Sequence, residues 1–178
     1  MVCNNYNQKK IFLFFIIPLI ILGIICFLLI KAPRPASPDL KGVLNTNSAP
    51  NSSNILRTGS LKIGTQAINI ELAENDQQWY QGLSDRDSLC AGCGMYFIFP
   101  AKDKLDFVMR NMRFPLDIIF ISDDKILNIA ENLAPEGNET KNIYSSAGEA
   151  NRVLEVNAGY CQMHGIKAGD SISDLKVN

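Results

Sequence analysis

The chain has 178 residues, with 17 Lys and Arg against 18 Asp and Glu, a formal net charge of −1. That length accommodates one ordinary domain with appendages, but the near-neutral total conceals an asymmetry. Residues 1–55 hold five bases and one acid, Asp39, whereas Leu56–Asn178 carries 12 bases and 17 acids, a net of −5; the C-terminal part thus lacks the basic excess that nucleic-acid binding requires.

Met1–Lys10 is a short polar leader ending in Lys9-Lys10, and Ile11–Ile30 is an apolar run of twenty residues that includes Pro18 and Gly23. A helix rises about 1.5 Å per residue, so this run is long enough to cross a hydrocarbon core of about 30 Å. A cleaved signal peptide has a shorter apolar region and a small-x-small exit. Here the exit is Ile30-Lys31-Ala32-Pro33, and Ile25 precedes Cys26 where a lipoprotein would need a small residue. The expectation is a single uncleaved signal anchor over 11–30. Lys31, Arg34 and Lys41 beyond the run leave positive charge indecisive for orientation. The brevity of the leader puts it in the cytoplasm and the C-terminal part outside the cell membrane. Residues 31–55, rich in Pro, Ser and Asn, are too poor in large apolar side chains to offset their ordering entropy and read as a disordered linker.

From Leu56 the pattern changes to short strands. Leu61–Ile63 and Ala67–Leu72 alternate with period two and join through Gly64-Thr65, as in a hairpin. Asn75–Gly82 reads as a helical turn, capped by Asn75 and ended by Gly82. Met95–Phe99, closed by Pro100, and Leu105–Met109 read as two further strands. Leu116–Ile121 follows as a buried strand with one carboxylate, Asp117, near its start, and Asp123-Asp124 turns it into a hairpin partner over Lys125–Glu131. Asn138–Gly148 is polar and loop-like. Arg152–Val156 alternates again, Cys161–Ile166 reads as a short helix, and Gly169-Asp170 turns into a closing strand over Ser171–Leu175. About eight strands and two short helices predict an α+β, mostly β domain, a small and mostly antiparallel barrel or sandwich.

A charge at the mouth of an apolar strand is costly unless paired or solvated. Arg110 and Arg113 are the nearest partners in sequence for Asp117. The cysteines add a second constellation: Cys90-Ala-Gly-Cys93 is a C-x-x-C and Cys161-Gln-Met-His164 a C-x-x-H. Three thiolates and one imidazole suit a closed tetrahedral zinc site, although thiolate ligands conflict with an oxidising exterior. A structural disulfide, free thiols and redox catalysis are the other readings. The redox reading lacks the strand-then-helix context of a thioredoxin-like motif, because Gly94-Met95 begins a strand directly after Cys93. Cys3 and Cys26 stand apart, in the leader and the apolar run. With one His and no Gly-x-Ser-x-Gly elbow, a Ser-His-Asp set is absent. Asp117 and Glu155 could be cast as the two carboxylates of a glycoside hydrolase.

Five pieces follow one another in a recognisable order: Gly82-Leu-Ser-Asp-Arg86, Gly94–Phe99, Met109-Arg-Asn111 with Pro115–Phe120, Leu154–Gly159 and Gly165–Asp170. Together they resemble the domain of unknown function 192 family, over about Leu61–Leu175. The resemblance implies a compact, β-rich, barrel-like fold and little about activity. Val108 stands where the family usually has Trp, and Ser84 where it usually has Met. The polar residues shared with the family pattern are Arg86, Arg110, Asn111, Asp117 and Glu155. A pocket lined by them could hold a sugar or an anionic small molecule, with arginine forks gripping a carboxylate. Alternatively, Asp117 pairs with an arginine or caps a loop and serves the fold alone. The leading expectation is a membrane-tethered, extracytoplasmic domain that binds a small molecule, glycan or envelope component. The alternatives are a cell-surface carbohydrate hydrolase using Asp117 and Glu155, and a metal- or thiol-dependent module at Cys90, Cys93, Cys161 and His164.

Overall fold

The computed structural model describes residues 55–178. The expected leader, the apolar run 11–30 and the linker up to residue 54 lie outside the described residues. Among the described residues no helix is long and apolar enough to cross a membrane.

Among the described residues seven strands form one sheet. In chain order the elements are β1 (Thr58–Ile63), β2 (Gln66–Ala73), α1 (Asp76–Gln81), β3 (Cys93–Phe107), β4 (Leu116–Ser122), β5 (Lys125–Leu133), β6 (Tyr144–Asn157), α2 (Tyr160–His164) and β7 (Ile172–Val177). The sheet order is β5-β4-β6-β3-β2-β1-β7. Its two edges meet at one corner. Ile126 N donates to Asp170 O, Gly169 N to Ile126 O and Ile172 N to Asp124 O, at 2.8–2.9 Å, so the run before β7 is tied to the start of β5. The sheet therefore curls into a half-barrel.

Local chemistry explains most of the elements. Gly64, at φ 59°, turns β1 into β2, and Asp123, at φ 56°, turns β4 into β5, both in the left-handed region where Gly and Asp are tolerated. Asn75 caps α1 by accepting from Gln78 N at 3.0 Å, and Gly82 ends it. Two expectations need correction. The strands expected at Met95–Phe99 and Leu105–Met109 are one long strand, β3, with Pro100 inside it. Pairing with β6 slips between Ile98 and Asp103, and such an irregularity is where a residue without an N–H is accommodated. The polar stretch expected as a loop to Gly148 instead enters β6 at Tyr144. Long-range pairing with the second half of β3 overrides its composition. The pairing is antiparallel throughout except between β2 and β3, which run parallel because α1 carries the chain across.

Alternation along the strands gives the sheet two apolar faces. Leu72, Tyr96, Leu154 and Ile119 form one lateral row, which packs with Leu61, Ile68, Tyr160 and Cys161. Ala73, Phe97, Val153 and Phe120 form the next row, on the opposite face, with Trp79, Phe99, Phe107 and Met109. On this face Phe107 meets Phe97 and Phe120 edge to face, with ring centroids 5.1 and 5.8 Å apart. β6 reaches β3 at Gly94, where a Cβ would lie 2.8 Å from both the Glu155 carbonyl oxygen and a Leu154 methyl carbon. Gly94→Ala is accordingly expected to destabilise the fold by about 1–3 kcal/mol, as overpacking does, read as a lower urea midpoint. An unchanged midpoint would mean that the strands can part at no cost.

Candidate functional site

Four of the five family segments converge on two carboxylates that lie on opposite faces of the sheet. Asp117 pairs across β4 and β6 with Val156, and Ile118 pairs with Glu155. Side chains alternate along a strand, so Asp117 shares the face of Val156 and Cys161, whereas Glu155 shares that of Met95 and Ile118. The two cannot flank one scissile bond, as a carboxylate pair must. The paired roles read from the sequence are therefore incompatible with the sheet's pleat.

Asp117 is fully buried and is spent on backbone amides. Its Oδ1 accepts from Asn132 N at 2.8 Å and Gly159 N at 3.1 Å, and its Oδ2 from Cys161 N at 3.0 Å. The last bond caps α2, whose own N-cap residue is a glycine with no side chain to do so. Neither arginine expected as its partner reaches it. Arg113 pairs with Asp87 at 2.6 Å on the surface, and Arg110 lies over the Tyr80 ring at 5.0 Å. The loop-capping alternative describes what this carboxylate does.

The cysteine set is divided. Cys90 and Cys93 are joined by a disulfide, and the side-chain amide of Asn157 donates to the Leu89 and Cys90 carbonyls beside it. Cys161 is a buried free thiol. Burial first, and the Asp117 carboxylate second, push its titration far above the usual range, so it is a poor source of thiolate. His164 rests against Tyr160, with ring centroids 4.3 Å apart. Among the described residues no three His, Cys, Asp or Glu side chains gather as a metal site. Zinc does not fit a set in which two thiols are bonded to each other and the third is held protonated.

On the Glu155 face there is a cleft of about 390 Å³, lined by residues that include Gln77, Gln78, Gln81, Ser84, Arg86 and Met95. Met95 stands in one lateral row between Glu71 of β2 and Glu155 of β6. Arg86 donates to both oxygens of Glu71, at 2.8 and 2.7 Å. This bidentate grip, ahead of opposing burial, holds the Glu71 carboxyl below its ordinary range. Burial pushes Glu155 up, partly opposed by the charge of Arg86. Ser84, at the position where the family usually has Met, donates its hydroxyl to the Arg110 carbonyl at 3.3 Å, and Asp85 N donates to Asn111 O at 2.9 Å. Asn111 adopts φ 57°, a conformation Asn tolerates better than most residues. Thus Arg86, Arg110 and Asn111 are brought to one place, Glu155 lies beneath it, and Asp117 is excluded. Val108 is buried in the core and is not part of this cleft's lining. Glu71 and the three glutamines were not singled out by the sequence. Glu71 occupies an outward position of the β2 alternation, which by itself reads as a solvated charge. A second cleft, of about 420 Å³, opens at the β1–β2 turn and includes His164, Asp170 and Ser171. There the polar groups serve the seam: Lys125 Nζ bonds Ser171, and Asp170 accepts from Lys167 N.

The loop after β5 is tied to the segment that carries Arg110 and Asn111, since Asn111 N donates to Gly137 O. Glu136 accepts from Lys141 N, from Asn142 through both N and Nδ2, and from the Tyr144 hydroxyl, while its own N donates to Met109 O. Burial raises its titration, but these donors outweigh it and leave the net shift downward from 4.5. A depressed carboxyl contributes stability that is present above its unfolded value and lost as pH falls through the folded one. Glu136→Gln is therefore expected to be less stable at neutral pH and to show a shallower loss on acidification below about pH 4.5, measured by urea melts across pH. Identical pH profiles would refute this role. For Asp117→Asn, an amide leaves at least one backbone donor unmet; bonds to charged groups are worth about 1.5–3 kcal/mol each, and a loss of that size is expected in the same melts. A melt within 0.5 kcal/mol of the parent, the scale of a neutral surface change, would refute the cap.

Comparison with known proteins agrees with this architecture. The family model DUF192, uncharacterized ACR, matches residues 59–173. A solved structure from Sinorhizobium meliloti 1021, described as a candidate transcription regulator, superposes with a TM-score of 0.60 at 30% identity, covering 67% of this chain and 93% of that one. A protein of unknown function from Novosphingobium aromaticivorans superposes with a TM-score of 0.60 at 33% identity, covering 71% and 90%. No curated protein matches the chain. With its model spanning more than half of the sequence, from β1 into β7, the chain belongs to the DUF192 family.

Proposed function

We propose that the domain is a binding module, tethered outside the cell membrane by residues 11–30, whose cleft beside Arg86 takes an uncharged, hydrogen-bonding ligand. The observation that carries this reading is the Arg86–Glu71 pair. Both carboxylate oxygens are already gripped by the guanidinium, so the fork that would hold an anionic ligand is engaged, Arg110 is held over the Tyr80 ring outside the cleft lining, and Asp85 adds a carboxylate to the cleft wall. Of the two ligand classes raised by the sequence, the anionic one is disfavoured by like charge. What remains toward the cleft is amide and hydroxyl chemistry: the Gln77 amide and the acceptor oxygens of Gln81, whose Nε2 donates to Ser84 O, and of Ser84, whose hydroxyl donates to Arg110 O, suited to the donors of hydroxyls and amides. The tether rests on the twenty-residue apolar run and the short leader. The regulator description of the Sinorhizobium neighbour is not carried over, since a domain of net charge −5 lacks the basic face that DNA requires.

Amide-resolved NMR titration tests the cleft. Neutral oligosaccharides or peptide amides are expected to shift Gln77, Gln81 and Ser84 saturably, whereas phosphate and citrate are not. Saturable citrate binding that is abolished by Arg86→Gln would overturn the neutral-ligand reading. For the tether, a C-terminal alkaline phosphatase fusion is expected to be active in intact cells, and an inactive but full-length fusion would place the domain inside.

A further inference from the structure

We infer that the ligand of this cleft is a carbohydrate, and that the exposed ring of Tyr80 is the plate on which one pyranose ring stacks. The inference rests on the reading of the cleft as a site for an uncharged, hydrogen-bonding ligand. A pyranose is two-sided: its axial C–H groups form an apolar patch, and its hydroxyls project around the rim. A site for it therefore needs a flat apolar surface beside amide and hydroxyl side chains.

Tyr80 supplies that surface. Among the described residues it is one of the few large apolar side chains left open to solvent, at 60% exposure. It lies on α1 one turn from Gln77, which lines the cleft, so the ring stands beside the cleft and not in its wall. The ring is also held in place. The guanidinium of Arg110 sits over it, 5.0 Å from the centroid, and the Arg110 carbonyl takes the hydroxyl of Ser84 from the cleft wall. Arg110 Nε is shut off from solvent and meets no acceptor among the described residues. A buried donor left unmet is a cost that calls for an explanation, and here the arginine's geometry is spent on the ring rather than on a carboxylate. Arg110 covers one side of the ring and the residue is still largely exposed, so the side away from Arg110 is assigned as the stacking side. A nucleotide could also stack there through its base, but its phosphate would meet the Asp85 carboxylate in the cleft wall while Arg86 is already engaged by Glu71.

The test uses the full chain in detergent, with cellotriose and chitotriose as carbohydrate probes and triglycine amide as a neutral probe with no pyranose. Saturation-transfer NMR is expected to label the ring C–H protons of at least one trisaccharide most strongly. Tyr80→Ala is expected to weaken that trisaccharide at least tenfold, while Tyr80→Phe stays within threefold because the ring and not the hydroxyl is used. Because Tyr80 is exposed, both variants should melt with the parent. Trisaccharide binding that survives Tyr80→Ala unchanged would refute the stacking plate. Binding of triglycine amide in the cleft, with neither trisaccharide bound, would refute the carbohydrate assignment and leave the cleft reading standing. No saturable cleft shift with any of the three would overturn both.

Discussion

Asp117 holds the domain together from a place where water does not reach. Three backbone amides, from the end of β5, the turn after β6 and the first turn of α2, converge on its two oxygens. A buried carboxylate is costly unless its lone pairs are occupied, and each of these donors would itself be unmet without it. The group therefore ties three segments that no apolar contact could orient, since burial is non-directional. With α2 capped by a side chain from 44 residues away, the chain can turn from β6 into the run that closes the seam between β5 and β7.

The opposite face carries the second apolar core, and one row on it holds Glu71, Met95 and Glu155, the latter two buried. α1 and the loop after it cover the row only in part, and Arg86 comes down from that loop to meet Glu71. The ion pair is half-buried and bidentate, the geometry in which such a pair does most to fix position. Its consequence is a cleft whose one strong cation is already matched, with glutamines and a serine around it. The polar groups that cap the backbone and those that border the cleft are thus segregated by the pleat.

Local signals in the sequence correspond closely to local structure. The β1–β2 hairpin, the Asn75 cap, the Asp123 turn and the strand at Leu116–Ile121 were legible because each depends on residues within a few positions of one another. The errors have the same explanation seen from the other side. Pro100 read as a strand end, and the polar stretch before Gly148 read as a loop, because neither residue type favours a strand in isolation. Pairing of β3 with β6, between residues about 40–60 apart, overrode both.

By itself the sequence determined the strand and helix content, the acidic character of the C-terminal part, the apolar run 11–30 and the family order of motifs. These properties follow from composition, period and short spacing. Tertiary structure decided which of the singled-out residues share a site. Asp117 and Glu155 differ by a single step of register in their pairing across β4 and β6, and that step puts them on opposite faces. Arg86 found Glu71 and Arg110 found Tyr80, 15 and 30 residues away, while Cys90 and Cys93 bonded to each other and left Cys161 in the core. Such choices depend on sheet order and register, which are set by the sum of long-range packing and by no single residue's chemistry.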